Sequence, residues 1–172
     1  GIIFAGKLLA LAAIKEKKEV VFYPSYGIEM RGGAANCTVI LSDRMIPSPI
    51  VSHPSSAILM SFPAVEKFLP RIKENGYVIV NTSLVDKEIS REGVRVVKIP
   101  ATQIAEELGS ITSSNMVALG AWSQVSKAVS VESLVFSLKE ILTGRRAALL
   151  EVNENALREG WKFASKCCLS FS

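Results

Sequence analysis

Residues 24–33 read PSYGIEMRGG and lie between two apolar runs, residues 20–23 and 34–41, that are typical of β-strands. Glycine permits positive φ angles and close approach of the backbone, and Pro24 fixes φ where the chain leaves the first strand. A plain turn between two strands needs about two to five residues, whereas this connection has about ten. Because a loop alone joins the strands, with no room for a crossover helix, we predict that they pair antiparallel.

The side chains of this connection favour a binding loop at the end of a sheet. Arg31 offers a planar fork for a phosphate group, and Gly32 and Gly33 present backbone N–H groups to an anion. Tyr26 is suited to stack on a ligand or to hydrogen-bond it, and Glu29 is suited to orient Arg31. Two other interpretations remain open: an ordered loop in which Glu29 and Arg31 satisfy one another, and a contact between subunits without a ligand. The candidate binding residues are Ser25, Tyr26, Gly27, Glu29, Arg31, Gly32, Gly33 and Asn36.

The composition indicates one α/β domain of 172 residues, with 49% hydrophobic and 21% charged residues. That length is sufficient to bury a substantial core. The net charge of +4 is modest, whereas a nucleic-acid-binding protein concentrates basic residues on one face with aromatic residues between them. The dense charged run at residues 15–19 mixes both signs and is typical of the solvated end of a helix. We therefore predict no nucleic-acid partner, and the charge fits a small phosphate-bearing molecule better than DNA.

Cysteine and histidine usage argues against a metal site on this chain alone. Cys37, Cys167 and Cys168 are odd in number and lack C-x-x-C spacing, which disfavours a disulfide framework, a zinc site or an iron–sulfur cluster. His53 is the one histidine and is interpreted as an ordinary surface residue. No serine or cysteine lies in a nucleophile motif, so the chain lacks a self-sufficient active site. Free thiols suit a reducing compartment, and we expect a cytoplasmic protein.

The rest of the chain alternates predicted strands and helices. Residues 2–14 are almost wholly apolar, and a helix of that length spans about 20 Å, short of the ~30 Å hydrocarbon core of a bilayer. We therefore expect a buried core helix and no membrane association. Further strands are predicted at residues 57–62, 77–81 and 94–99, and further helices at residues 63–73, 101–108, 114–129, 131–142 and 146–162.

This order of elements predicts a three-layer α/β/α domain with a mixed, mostly parallel sheet and a helical C-terminal part. The domain is expected to span residues 1–163. A short C-terminal tail, residues 164–172, follows it and is expected to be loosely ordered.

Several polar residues are expected to have structural roles. Ser25, Thr82 and Ser83 occupy strand ends, where such side chains commonly cap backbone groups. Asn115 is expected to cap a helix or to bond a loop in the core. Cys37 lies inside an apolar run and is expected to be a small core residue.

Short motifs spread along the chain resemble one known family. They are AGKLLA at residues 5–10, PSYGIEMRGG at 24–33, ANC at 35–37, SD at 42–43, SPIV at 48–51, NTSL at 81–84 and NMVALGA at 115–121. In this order, and over residues 1–161, they resemble the gamma subunit of the 2-oxoacid:ferredoxin oxidoreductases. The pattern is similar to the 2-oxoglutarate and 2-ketoisovalerate types, which are homologous to domain III of pyruvate:ferredoxin oxidoreductase.

The resemblance implies a subunit that is not active on its own. The complete enzyme converts a 2-oxoacid, coenzyme A and oxidised ferredoxin into an acyl-CoA, carbon dioxide and reduced ferredoxin. The resemblance implies thiamine diphosphate and Mg between the alpha and beta subunits, and [4Fe–4S] clusters on other chains, including a ferredoxin-like delta subunit. This chain would bind none of these cofactors alone, would assemble against those subunits and would help to close the site over coenzyme A. The alternatives are a free-standing Rossmann-like nucleotide-binding module and an assembly subunit without a ligand.

The related gamma subunits differ from this sequence at its start. In them, a first strand and a glycine-rich turn lead into the helix predicted here at residues 2–14. The resemblance therefore implies that a central strand and a candidate anion-binding turn are missing ahead of Gly1.

Overall fold

The structure is a computed structural model that describes residues 1–25 and 35–169, with the backbone alone described for residues 168 and 169. Over these ranges the chain forms five β-strands and six α-helices. In chain order they are α1 (Ile2–Lys15), β1 (Glu19–Ser25), β2 (Asn36–Ser42), β3 (Ser56–Leu59), α2 (Phe62–Phe68), β4 (Gly76–Asn81), β5 (Val94–Ile99), α3 (Ala101–Glu107), α4 (Ser114–Ser126), α5 (Val131–Ile141) and α6 (Leu150–Leu169). Within these ranges, no helix has the length and apolar character needed to cross a bilayer.

The strands form two hydrogen-bonded groups. β3, β4 and β5 make a parallel sheet in that order, and β1 and β2 make an antiparallel hairpin. The hairpin register runs from Glu19 opposite Ser42 to Ser25 opposite Asn36. The antiparallel pairing predicted from the short connection is therefore confirmed.

The parallel sheet carries helices on both faces, as the alternation along β4 illustrates. Ile79 packs into a cluster with residues of α1, α3, α4, α5 and α6. Its neighbours Val78 and Val80 pack with Val65 of α2 in a second cluster. Because successive side chains of a strand point to opposite faces, the two clusters lie on opposite sides of the sheet. The predicted three-layer α/β architecture with a helical C-terminal part is confirmed.

Helices α4 and α6 cross closely at two glycines. A Cβ atom built on Gly120 of α4 would overlap the carbonyl oxygen of Leu157, and one built on Gly160 of α6 would overlap that of Val117. The contact therefore joins backbone to backbone, with no space for a side chain at either position. Residues 115–123 of α4 are all buried, which makes this helix the centre of the helical layer.

Two predicted boundaries in the first half of the chain are wrong. The strand predicted at residues 57–62 stops at Leu59, and α2 begins within three residues of it. The helix predicted at residues 63–73 stops at Phe68 and continues as a 3-10 turn. Pro70 explains this end, because it has no N–H for an α-helical hydrogen bond and its ring clashes with the preceding turn.

The C-terminal helices also differ from their predicted bounds. The helix predicted at residues 114–129 ends early, because Lys127 takes a left-handed conformation with φ of 56°. The helix predicted at residues 146–162 is α6, which covers Leu150–Leu169 and follows a 3-10 segment. Residues 164–169, which were predicted to belong to a tail, therefore continue α6.

Candidate functional site

The predicted binding loop begins and ends at the last residue pair of the β1–β2 hairpin. Ser25 and Asn36 are opposite one another at the end of β1 and the start of β2, and both are half-buried. The two ends of the predicted loop are therefore adjacent in the structure. The other predicted binding residues lie outside the described residues, and their roles stay predictions: Tyr26, Gly27, Glu29, Arg31, Gly32 and Gly33.

The start of α1 lies at the same end of the hairpin. The Cys37 thiol, near the start of β2, donates a hydrogen bond to the Ile2 carbonyl oxygen at a sulfur–oxygen distance of 3.6 Å. The first turn of α1 has backbone N–H groups without helical partners, and no side chain caps it at Gly1. The helix dipole adds partial positive charge there, so this end of the molecule favours an anion.

Asn115 joins the start of α4 to the start of α1. Its Nδ2 donates to the Gly1 carbonyl oxygen at 2.7 Å, and its Oδ1 accepts from the Met116 N–H at 3.0 Å. The residue is 8% exposed, so both side-chain groups are satisfied inside the protein. These bonds give Asn115 the structural role expected from the sequence, within the core.

Helix α4 connects this end of the molecule with the parallel sheet. Trp122, one turn before the end of α4, donates from Nε1 to Ser56 Oγ at 3.0 Å, and Ser56 is the first residue of β3. α4 therefore runs from the start of α1 to the amino end of β3. The carboxyl ends of the parallel strands point towards the end that holds the hairpin loop, and α/β sheets bind ligands at that edge.

A cavity of about 140 Å³ lies between β2 and β3, each of which pairs with one strand among the described residues. Burial raises the pKa of the Cys37 thiol beside it, and a hydrogen bond with the Gly6 backbone offsets this only in part. The thiol therefore stays protonated at neutral pH and is a poor nucleophile. The residues that line the cavity are Ile2, Ala5, Gly6, Leu9, Cys37, Val39, Ser56, Ala57, Ile58, Asn115, Leu119 and Trp122.

The strand that the family resemblance implies ahead of Gly1 stays a prediction.

A polar cluster closes the carboxyl end of β4. Asn81 is fully buried, donates from Nδ2 to Thr102 Oγ1 at 2.9 Å, and accepts at Oδ1 from the Ser83 and Thr102 N–H groups at 3.3 Å. Ser83 Oγ accepts from the Gln103 N–H at 3.1 Å, which is the capping role predicted for Ser83. No role was predicted for Asn81, although an asparagine at the end of a buried apolar strand is a signal for such a cluster.

The described residues offer no metal centre. Within residues 1–25 and 35–169, no group of three His, Cys, Asp or Glu side chains is close enough to hold a metal ion. His53 is exposed in the loop between β2 and β3. The candidate site on this chain stays the predicted loop of residues 24–33. Its base at Ser25 and Asn36 lies at the end of the hairpin where α1 begins, and the helix dipole of α1 suits an anionic group there.

The family described as pyruvate ferredoxin/flavodoxin oxidoreductase matches residues 1–163. The 2-oxoglutarate synthase subunit KorC of Methanocaldococcus jannaschii is 38% identical over 169 residues, covering 96% of this chain and 89% of that protein. The ketoisovalerate oxidoreductase subunit VorA of Methanothermobacter marburgensis is 29% identical over 167 residues, or 96% of this chain. The match covers 34% of VorA, so the chain spans about a third of that relative.

Two solved structures share the fold along nearly the whole chain. The keto/oxoacid ferredoxin oxidoreductase gamma subunit from Geobacter sulfurreducens has a TM-score of 0.83 at 28% identity, covering 96% of this chain and 92% of that one. The 2-oxoglutarate:ferredoxin oxidoreductase from Magnetococcus marinus, solved with 2-oxoglutarate, coenzyme A and succinyl-CoA bound, has a TM-score of 0.86 at 28% identity. That match covers 96% of this chain and 29% of the Magnetococcus chain.

Proposed function

Since the chain belongs to the pyruvate ferredoxin/flavodoxin oxidoreductase family, we propose that it is the gamma subunit of a multisubunit 2-oxoacid:ferredoxin oxidoreductase. The observation that carries this proposal is the alignment with KorC, which spans 96% of this chain and 89% of that subunit. The relatives are named as subunits, which favours one part of a larger enzyme over a free-standing nucleotide-binding module. The chain contributes to the activity as a non-autonomous subunit.

The complete reaction would couple oxidation of a 2-oxoacid to formation of an acyl-CoA and reduction of ferredoxin. KorC and VorA are named for 2-oxoglutarate and ketoisovalerate, which favours one of these or a similar 2-oxoacid as substrate. Thiamine diphosphate with Mg would supply decarboxylation, and [4Fe–4S] clusters electron transfer, on alpha, beta and ferredoxin-like delta subunits. Within the described residues, no group of three His, Cys, Asp or Glu side chains is placed to hold a metal ion. The part that we assign to this chain is binding and positioning.

The share of the work that we assign to this chain is to help close the site over coenzyme A. The loop base at Ser25 and Asn36 lies at the end of the molecule where α1 begins near Ile2. Coenzyme A carries phosphate groups, which a helix N-terminus and a guanidinium both attract. Arg31, within the loop, is the residue that we expect to clamp a phosphate.

The test is Arg31→Ala in the assembled enzyme. A charge-assisted hydrogen bond contributes roughly 1.5–3 kcal/mol, so the apparent KM for coenzyme A should rise about 10- to 150-fold. Arg31→Lys should recover part of this loss, because lysine keeps the charge but lacks the fork. The KM for the 2-oxoacid should barely change, since decarboxylation takes place on other subunits. Steady-state kinetics with each substrate varied in turn measures both values.

Arg44→Ala is the matched control, because Arg44 is an exposed arginine just after β2, away from the loop end of the hairpin. It should leave both KM values unchanged. If Arg31→Ala instead loosens the complex on size exclusion without altering coenzyme A kinetics, the loop is an assembly contact without a ligand. An intact complex with unchanged kinetics would contradict both roles for Arg31.

A further inference from the structure

One face of the β1–β2 hairpin packs against α1, and the opposite face does not. On the packed side, Phe22 and Cys37 meet Gly6 of α1, and Val20 and Val39 pack against the main core. Side chains alternate along a strand, so the residues between these point away from α1. We call the opposite side the outer face. It consists of Val21, Tyr23, Thr38 and Ile40.

The four residues of the outer face form one patch. Tyr23 is opposite Thr38 in the hairpin register, and Val21 is opposite Ile40. Cross-strand neighbours on one face lie about 4.5–5.5 Å apart at Cβ, so the four side chains adjoin one another. Tyr23 is 61% exposed, whereas Val21, Thr38 and Ile40 are half-buried. Neither buried cluster of the described residues includes Val21, Tyr23 or Ile40.

The patch has the layout of a protein interface. A tyrosine and two β-branched apolar side chains occupy its centre, and polar pairs lie at both ends, Glu19 with Ser42 and Ser25 with Asn36. Interfaces typically combine an aromatic or apolar centre with a polar rim, and tyrosine is enriched among the residues that carry binding energy. Leu149, by contrast, is 49% exposed on a separate 3-10 segment, and a single exposed apolar side chain needs no partner.

Two relatives identify the kind of partner. The segments of VorA and of the Magnetococcus chain that match this chain make up 34% and 29% of those polypeptides. In those proteins, the same fold is therefore covalently joined to a much larger region. Where the fold is a separate chain, contact with the corresponding region has to be non-covalent and needs an exposed surface on each side.

We propose that the outer face of the hairpin docks the separate chain that corresponds to the remainder of VorA and of the Magnetococcus protein. This inference rests on the proposed function, because it takes the chain to be one subunit of a complex. The loop base at Ser25 and Asn36 borders the outer face at one end. A partner seated there would lie next to Ser25 and Asn36.

In the experiment, the full chain is co-expressed with its expected partner, which carries an affinity tag. The partner is the chain of the same organism that aligns with the part of VorA outside the segment matched here. Tyr23→Arg should raise the Kd for the partner by about 30-fold or more, because it removes a central aromatic residue of the interface. Thr38→Arg is a second variant on the same face, at a position that is already polar. Leu149→Arg is the control, because it places the same charge on a comparably exposed apolar residue elsewhere. Thermal unfolding of each isolated variant shows whether it folds.

A further measurement needs no variant: hydroxyl-radical labelling of Tyr23 should fall when the wild-type chain joins the complex. The proposal is supported if folded Tyr23→Arg and Thr38→Arg chains lose the partner while Leu149→Arg keeps it. Partner binding at wild-type strength by both outer-face variants, or unchanged labelling of Tyr23, would overturn the docking surface alone. The docking surface would also be overturned if Tyr23→Arg abolished self-association of the chain but left partner binding unchanged. In that case a second copy of this chain would occupy the outer face. If the wild-type chain fails to bind this partner at all, the proposed function fails with it.

Discussion

In β4 every residue but Tyr77 is buried, whereas no residue of β1 or β2 is buried. β4 lies inside the parallel sheet between two helical layers, whereas among the described residues the hairpin packs against a helix, α1, on one face. Local stability within a protein follows the density of buried apolar contacts. The hairpin, which carries the candidate binding loop and the proposed docking face, is therefore expected to open more readily than the parallel sheet.

The two regions also differ in how a glycine joins a helix to its neighbour. Gly120 and Gly160 bring two backbones together, so nothing at the α4–α6 crossing can move aside without shifting a helix. Gly6 of α1 meets the side chains of Cys37 and Phe22 instead, and side chains can change rotamer. The α4–α6 crossing is therefore expected to tolerate an added methyl group less well than the contact between α1 and the hairpin. The loss of unfolding free energy on replacing each glycine by alanine tests this difference.

Gly120→Ala is expected to have the largest effect. In an unobstructed helix, alanine would stabilise by about 0.5–1 kcal/mol relative to glycine, but here the new Cβ overlaps the Leu157 carbonyl oxygen. We expect the free energy of unfolding to fall by about 3 kcal/mol, at the upper end of overpacking penalties. Urea denaturation of the purified chain measures this change, and Gly160→Ala should behave in the same way.

Gly109→Ala is the control for the crossing. Gly109 has φ of 87°, and a Cβ built there meets nothing within 4 Å, so the substitution adds backbone strain without a clash. It should lower the free energy of unfolding by about 1–2 kcal/mol. If Gly120→Ala lowers the free energy of unfolding by no more than Gly109→Ala does, the backbones of α4 and α6 are not in close contact at Gly120.

The sequence predicts well those features that short-range patterns determine. Residues 94–99 are predicted and observed as β5, and the antiparallel hairpin follows from a connection too short for a helix. The α4–α6 crossing was not predicted, because Gly120 and Gly160 contact the backbone of the other helix only once both helices are packed. Nothing local marks either glycine as a contact point, although Gly120 lies within the motif at residues 115–121.

The candidate site shows the same division. The loop is recognisable from its length and its glycines, and the structure gives the position of its base at Ser25 and Asn36. The bond from Asn115 to the Gly1 carbonyl joins residues 114 positions apart, so the sequence alone indicates a structural role for Asn115 without its partner. The direction of the strand ends relative to the loop depends on such long-range contacts and therefore required the structure.

Gly6→Ala tests the adaptable side of the contrast, with a smaller expected effect. The new Cβ would overlap the Cys37 sulfur and crowd the Phe22 ring. Because both neighbours are side chains, we expect the free energy of unfolding to fall by about 1–2 kcal/mol. Cys37→Ala removes the sulfur, so the double variant should lose much less than the two single changes added together. Purely additive losses in urea denaturation would show that Cys37 cannot be the obstructing group.

The smallest expected effect concerns Glu16, which links the α1–hairpin region to the helical layer. Its Oε1 accepts from the Ser130 N–H and from Ser130 Oγ, both at 2.8 Å, at the N-cap of α5. Partial burial pushes the pKa of the Glu16 carboxyl up, but hydrogen bonds from Ser130 and Ser133, with the Lys18 charge, outweigh it. The pKa therefore lies below its usual value, and the ionised carboxylate is the form that stabilises the fold.

Glu16→Gln keeps the shape of the side chain and removes the charge, so it should lower the free energy of unfolding at pH 7 by about 1 kcal/mol. A depressed folded-state pKa contributes stability above the unfolded-state pKa of about 4.3, and that stability disappears as the pH falls through the folded-state value. The difference between wild type and Glu16→Gln should thus be complete at pH 7 and should shrink as the pH falls below about 4.3, as measured by urea midpoints. Glu140→Gln is the control, because Glu140 also joins α5 to α1, through an exposed ion pair with Lys15 at 2.8 Å, and such pairs contribute about 0–1 kcal/mol. A Glu16→Gln deficit that persists unchanged at about pH 3 would mean that packing, and not the carboxylate charge, connects the two regions at this point.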